Sequence, residues 1–306
     1  MKKVLVATEK PFAPVAVSEI RKVIDNAGYE LVLLEKYTDP TDLITAVADV
    51  DAMIIRSDKV TPEVLDAAGN LKIVVRAGAG YDNINLEAAT SNGVVAMNTP
   101  GQNSNAVAEL TLGMMVYLAR GKYNGKAGTE LKGKTLGIHA YGHVGRLVSI
   151  IAKGFGMEVI AFDPFVPAEV IQKDGVKPVD TVEDLYSTSQ YISLHIPSND
   201  KTRNSINFDL LNMMPNGATL INTARKEVVN EDSLVKMFEE RPDFVYVSDI
   251  APDNAEFIAT EYPERGFFTP KKMGAQTAEA NINAGIAAAQ QIVNFLEKGD
   301  TTYKVN

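Results

Sequence analysis

Cysteine is absent from the 306 residues. That removes three kinds of chemistry together: a disulfide framework, a thiolate nucleophile and a cysteine zinc site. A surplus of basic charge is also missing. Lys and Arg number 30 against 39 Asp and Glu, a net charge of −9, which argues against nucleic acid or an anionic membrane surface as a partner because both call for a basic face. No apolar run is long enough for a bilayer: residues 106–118 carry Glu109 and fall short of the roughly 20 residues a spanning helix needs. At the start, MKKVLVATEK has an apolar core of only residues 4–7, too short for a secretion signal and better read as a first strand. These absences give the expectation of a cytoplasmic protein that takes neither nucleic acid nor membrane as a partner, with no metal site. Hydrophobic content of 45% and charged content of 23% are ordinary for a globular chain, long enough for one large domain or two.

The most informative stretch is KGKTLGIHAYGHVGRLVSIIAKGFGMEVIAFD, residues 132–163. A short apolar run, a glycine turn, apolar residues at helical spacing and a second apolar run ending at Asp163 read as strand, turn, helix, strand. In that setting Gly142 lets backbone amides approach a pyrophosphate, and Gly145 lets helix and strand pack closely. The helix start, with Tyr141, His143 and Val144 around it, supplies unpaired N–H groups and a positive dipole end. Asp163 stands where an acid accepts the ribose hydroxyls of adenosine and repels a 2′-phosphate, so the cofactor is read as NAD. One departure is Ala140, which occupies the first glycine position of the G-x-G-x-x-G pattern.

Before this stretch, residues 2–97 alternate short β runs (VLVAT, ELVLLE, AMIIRS, KIVVRA, VVAMN) with helical patterns, the sign of a parallel sheet wound on both faces. The glycine-rich tail after Arg76, AGAGYDN, could form an anion-binding nest. A helix over 103–120 is apolar nearly all round and is expected to be buried between domains or subunits. GKYNGKAGTELKGK (121–134) reads as an exposed connection. Its formal phosphate-loop match fails because a loop precedes it and a strand follows. Later, QYISLHIP, ATLINTA and FVYVSDI are strand candidates, 208–213 and 231–239 are helices, and a last helix over 277–296 is stopped by Gly299.

Three histidines are present. His139 lies inside a strand, His143 in the glycine turn, and His195 at a strand end where it would line a cofactor pocket with Ile196 and Pro197. None sits in a late loop. The sharper constellation is Asn222-Thr223-Ala224-Arg225, then Ser248-Asp249, then the loop PKKMGAQT (270–277). With RAGAGYDN, MNTP followed by AVAEL, the glycine turn with Asp163, and SLHIP, these pieces resemble the NAD-dependent D-2-hydroxyacid dehydrogenase family over essentially the full length, and most of all its D-3-phosphoglycerate dehydrogenase members.

The resemblance implies an α/β protein of two doubly wound parallel-sheet domains. A Rossmann NAD-binding domain (99–280) is inserted in a flavodoxin-like substrate domain (1–98 and 281–306), with a cleft between them and a homodimer through the nucleotide domains. The implied substrate is a small phosphorylated 2-hydroxy acid. Arg225 would pair with its carboxylate and carbonyl oxygen, a task suited to a planar, always charged fork. The amides of Gly78 and Ala79 would hold the carboxylate, and Arg56 with Ser57 and Asn103 would line the substrate. Asp249 would meet the nicotinamide carboxamide, with Thr223, Ala224 and Gly274 beside the cofactor.

Two departures stand out. Most of the family has histidine where this chain has Lys272, and a glutamate five residues after Asp249, where Asn254 stands with Asp253 and Glu256 as neighbours. A histidine acid needs a carboxylate to raise its pKa and fix its tautomer; a lysine has no tautomer, and needs a lowered pKa, which Arg225 and the positive nicotinamide would supply. A subgroup of short phosphoglycerate dehydrogenases is similar in using lysine there. The expected roles are Lys272 as proton acceptor and donor and Arg225 as polarising group. Other D-2-hydroxy acids, or an NAD-sensing regulator of the corepressor type, are the alternatives. Two smaller expectations follow: no appended regulatory domain, and Lys122 or Lys126 as the basic residue a shortened arm could donate across a dimer.

Overall fold

Runs of Val, Leu and Ile buried on both faces make parallel strands, since helices then cover each side of the sheet. The computed structural model, which describes residues 1–306, has two such sheets. The first holds β1 (Lys3–Thr8), β2 (Glu30–Glu35), β3 (Ala52–Ile55), β4 (Ile73–Arg76) and β5 (Val95–Asn98), in the order β2-β1-β3-β4-β5 and parallel throughout. Successive side chains go to opposite faces. Val4, Val6, Ile54 and Val75 enter one core with Ile20 and Ile292, while Leu5, Ala7, Met53, Ile55 and Val74 enter the other with Leu43 and Val64. This strand order is the flavodoxin-like one.

The second sheet holds β6 (Thr135–His139), β7 (Glu158–Phe162), β8 (Lys177–Pro178), β9 (Tyr191–Leu194), β10 (Thr219–Asn222), β11 (Val245–Ser248) and β12 (Gly266–Phe268). Its order is β12-β11-β10-β9-β6-β7-β8. Counted from β6, that is the Rossmann order with one further edge strand, and the order reverses between β6 and β9, where such sheets bind ligands. The chain forms two compact units, Met1–Asn103 with Gln276–Asn306, and Ser104–Ala275. No helix is long and apolar enough to cross a membrane.

The helix Ser104–Ala119 buries Ala108, Leu112, Met114 and Met115 against the second unit's own core, leaving Glu109 and Gly113 exposed. Within the chain, burial covers most of its circumference. The last helix, Ala278–Lys298, begins at Thr277, whose hydroxyl accepts the Ala280 N–H at 3.1 Å, and ends at Gly299 in the left-handed region with φ +68°. It buries Ala284, Ala288, Ala289, Ile292 and Val293 in the first unit's core. A Cβ on Gly285 would lie 2.9 Å from Ile20 of the helix Pro14–Asn26.

Candidate active site

The glycine turn is built as strand, turn and helix: β6 ends at His139, Gly142 precedes the helix His143–Gly154, and β7 ends beside Asp163. Ala140 takes φ +80°, a conformation a Cβ makes costly. The first glycine position thus keeps a glycine-like backbone without the glycine. A Cβ on Gly142 would meet nothing within 4 Å, so the backbone there is open to a ligand. At Gly145 a Cβ would sit 2.4 Å from the Ala140 carbonyl oxygen and 2.9 Å from Ile138, which shows why helix and strand require glycine at that point. Exposed His143 and half-buried Val144 open the helix, whose first-turn N–H groups have no partners within the helix.

Asp163 is half-buried, and each of its oxygens accepts one backbone N–H, from Tyr141 at 2.7 Å and from Phe165 at 2.8 Å. A carboxylate oxygen has room for a second donor, so ribose hydroxyls remain within its capacity. Tyr141, expected beside the cofactor, needs correcting. Its ring is fully buried, its hydroxyl pairs with Ser149 Oγ at 3.1 Å, and its N–H belongs to Asp163; the side chain is core. Ile196 is likewise buried in the core, while Pro197 is exposed and His195 half-buried. His195 Nε2 pairs with Ser193 Oγ at 2.9 Å, and its N–H donates to the His139 carbonyl at 2.9 Å across the switch point. Burial pushes the pKa of His139 down to about 4 and that of His195 to about 3, so both rings are neutral near pH 7.

Beyond the switch point, β10, β11 and β12 end in Asn222, Ser248 and Phe268, and the segments after them carry Arg225, Asp249 and Lys272. Arg225 Nη1 donates to the Ala224 carbonyl at 3.0 Å, and Lys272 Nζ donates to the same oxygen at 3.0 Å. The two residues expected to do the chemistry are thereby held within about 6 Å of each other, although 46 residues separate them in sequence. Lys272 is exposed along its length while its tip is tied down. Asp249 is fully buried. One of its oxygens accepts the Gly274 N–H at 2.7 Å and the Met273 N–H at 3.3 Å. Its other oxygen is buried without a partner. Burial raises the Asp249 pKa, against the opposing pull of the Gly274 amide and the charges of Lys272 and Arg225. A Cβ on Gly274 would come 2.9 Å from the Asp249 carboxylate, which accounts for glycine there. Thr223 is buried with its hydroxyl 3.3 Å from Thr111 Oγ1.

Two of the three residues considered for the family's glutamate have partners elsewhere. Asp253 pairs with Lys226. The Asp253 N–H, at 3.0 Å, and the Asn254 side chain, at 3.2 Å, both donate to Glu231. Glu256 lies in the first turn of the helix Ala255–Glu261. Asp249 does feel the charge of Lys272. Lys122 also differs from expectation: its ammonium donates to the Pro263 and Gly266 carbonyls of its own unit, the latter at 2.9 Å, and so is not offered outward. Lys126 is exposed.

In the first unit the expected substrate residues lie at the carboxyl ends of the strands. The Arg56 guanidinium donates to the Lys10 and Pro11 carbonyls at 2.9 and 3.1 Å and to Asn281 Oδ1 at 2.6 Å. Its main chain is fixed as well. Buried Asp58 accepts the Arg56 N–H, the Glu9 N–H and the Tyr37 hydroxyl. Gly78 has φ +152° and donates its N–H to the Arg76 carbonyl at 2.8 Å, so the amide expected to hold a carboxylate is engaged in a three-residue turn. Ala79, exposed, has its carbonyl held by the Asn98 side chain. Ser57 is exposed and Asn103 half-buried. None of Asp58, Asn98 and Asn222 was given a role from the sequence, although Asn222 was named as the start of the run 222–225. Each is an Asp or Asn at or just after a strand end, where a short polar side chain can bond a nearby main chain.

A doubly wound sheet with a glycine turn at its switch point and an acid closing the next strand defines a dinucleotide-binding domain. The donor set fits NAD: open backbone at Gly142, a helix start, an acid at the ribose position and an unpaired buried oxygen on Asp249. Residues 107–262 match the family of the D-isomer specific 2-hydroxyacid dehydrogenase, NAD binding domain. D-3-phosphoglycerate dehydrogenase of Methanocaldococcus jannaschii is 36% identical over 83% of this chain, which spans 51% of that relative's length. Hydroxypyruvate reductase of Thermotoga maritima is 34% identical over 87% of this chain and 92% of its own. The crystal structure of NAD+-bound 3-phosphoglycerate dehydrogenase from Entamoeba histolytica superposes with a TM-score of 0.89 at 44% identity, covering 100% of this chain and 98% of that one. The chain belongs to the D-isomer specific 2-hydroxyacid dehydrogenases, and its nucleotide is NAD.

Proposed function

We propose that this protein oxidises D-3-phosphoglycerate to 3-phosphohydroxypyruvate, a step that feeds serine synthesis, with Lys272 as the proton-transfer group. The observation that carries the reading is the shared Ala224 carbonyl, which holds an ammonium beside a guanidinium. Bound NAD supplies the hydride acceptor. Arg225 pairs with the substrate carboxylate and polarises the C2 oxygen, and Lys272 takes the hydroxyl proton in oxidation and returns it in reduction. The neighbouring guanidinium disfavours a second positive charge and so favours the neutral amine needed to accept that proton. Asp249, with a buried oxygen to spare, is the acceptor for the nicotinamide carboxamide.

A second reading is a reductase or dehydrogenase for another small 2-hydroxy acid, favoured by the Thermotoga maritima relative, which this chain matches over nearly its whole length. NADH absorbance during incubation with NAD and 3-phosphoglycerate, glycerate or lactate separates the two. The first predicts that kcat/KM is highest for the phosphorylated acid, and the second that a non-phosphorylated acid leads. No turnover with any of them would point to a non-enzymatic NAD-binding role.

The same proposal includes a homodimer through the nucleotide-binding units. Ile150 is 58% exposed on the helix His143–Gly154 and Phe155 44% exposed at its end, and the helix Ser104–Ala119 packed against it carries half-exposed Leu110 and Tyr117. An apolar patch of this kind marks an association surface. Light scattering on the wild type and on Ile150→Glu tests it: the wild type is expected as a dimer and the variant shifted toward monomer.

A further inference from the structure

The proton-transfer reading requires that the carbonyl shared by Lys272 and Arg225 stay in one place. Asn222 is the residue that holds it. Asn222 ends β10 and is fully buried. Its Oδ1 accepts the Ala224 N–H at 2.9 Å, and its Nδ2 donates to the Arg225 carbonyl at 2.9 Å and to the Tyr246 hydroxyl at 3.3 Å. Those two main-chain groups bracket the Ala224–Arg225 peptide, whose carbonyl oxygen is the common acceptor. The amide can adopt only one orientation, because the Ala224 N–H can only donate and the Arg225 carbonyl can only accept. Asn222 also reaches the other side of the site. Its own carbonyl accepts Ser248 Oγ at 2.8 Å and the Asp249 N–H at 3.3 Å, so the ends of β10 and β11 meet at this residue.

We infer that Asn222 is a positioning residue for the reaction: through the Ala224–Arg225 peptide it sets the separation and direction of the Lys272 ammonium and the Arg225 guanidinium. It touches neither substrate nor cofactor in this role, and the inference rests on the proton-transfer reading given above. An apolar replacement would leave the Ala224 N–H and the Arg225 carbonyl unpaired in a buried turn. The isosteric Asn222→Asp keeps an acceptor for the Ala224 N–H but sets a second acceptor against the Arg225 carbonyl, which turns the peptide without changing its volume.

Small misplacements of reacting groups cost large factors in rate. Asn222→Asp is therefore expected to lower kcat/KM for 3-phosphoglycerate by about 10- to 100-fold, with the NAD dissociation constant within about threefold of wild type, because the glycine turn is untouched. Combined with Lys272→Ala, it is expected to add almost nothing to the loss from Lys272→Ala alone, as residues acting as one unit do. Near wild-type turnover in Asn222→Asp, or a fully multiplicative loss in the double variant, would overturn the inference. Should Asn222→Asp fail to fold, Tyr246→Phe carries the test by removing one acceptor of the same amide: a moved pH midpoint of kcat supports the positioning, and an unchanged kcat and midpoint contradict it. Full activity in Lys272→Ala would sink the proton-transfer reading and the positioning with it. An impaired Lys272→Ala beside an unimpaired Asn222→Asp would sink the positioning alone.

Discussion

Lys272 Nζ and Arg225 Nη1 both donate to the carbonyl oxygen of Ala224, each at 3.0 Å. One backbone oxygen thus gathers two cations from different strand ends. Repulsion between them is tolerable because the oxygen is partly negative and the buried carboxyl group of Asp249 lies close enough for both charges to act on it. In the proposed mechanism, this arrangement takes the place of a histidine with a dedicated carboxylate.

Ala140 holds φ +80° in the turn that presents the nucleotide site. Ala140→Gly should remove that strain at the cost of some extra freedom in the unfolded chain, a net gain of about 0.5–1 kcal/mol. Calorimetry should show a melting temperature higher by about 1–3 °C, with NAD affinity kept.

The reverse holds two turns of chain later. At Gly145 the atoms a Cβ would meet are a backbone carbonyl and Ile138, neither of which can swing aside. Gly145→Ala should cost about 1–3 kcal/mol through overpacking and weaken NAD binding by pushing the helix start away from its strand. Thermal melting with NAD titration reads both effects.

Asp163 is the residue we propose to set the choice of cofactor. Asp163→Ala removes the acceptor of the Tyr141 and Phe165 N–H groups and the charge that repels a 2′-phosphate. The ratio of kcat/KM for NAD over NADP should fall by about 10-fold or more, as expected when a polar recognition contact is lost; steady-state kinetics with both nucleotides checks it.

Acid should weaken the fold through its buried imidazoles. His139 and His195 hold their protons less tightly folded than unfolded, with pKa values lowered from 6.5 to about 4 and about 3. Their contribution is therefore complete above pH 6.5. Below it the unfolded chain binds more protons, and stability is lost as pH falls toward the folded values. For fully buried His139 the loss is about 2 kcal/mol between pH 6.5 and 5. Denaturant melts across this range, compared with His139→Gln, should show a shallower pH slope in the variant.

Much of the fold could be read from the sequence because parallel strands buried on both faces appear as uninterrupted apolar runs. β1, β3, β4 and β10 are such runs. The edge strands of the second sheet could not be read: β12 is only Gly-Phe-Phe and β8 only Lys-Pro, too short for any period. In the site, the glycine turn and Asp163 followed from local spacing. Tyr141 misled because a residue inside a glycine turn looks available to a ligand, whereas its ring turns under the helix to reach Ser149. The convergence of Arg225 and Lys272 depends on a carbonyl 48 residues from the lysine, a relationship that residue spacing does not encode. The engagement of Asn254 by Glu231 was equally out of reach, as it joins a helix start to a distant helix cap 23 residues away.

The most direct test is turnover of Lys272→Ala with 3-phosphoglycerate and NAD, measured beside NAD binding by calorimetry. Loss of an acid–base group should lower kcat by about 10²–10⁴-fold while the NAD dissociation constant stays near that of the wild type. A variant that binds NAD and turns over at the wild-type rate would contradict the assignment of proton transfer to Lys272.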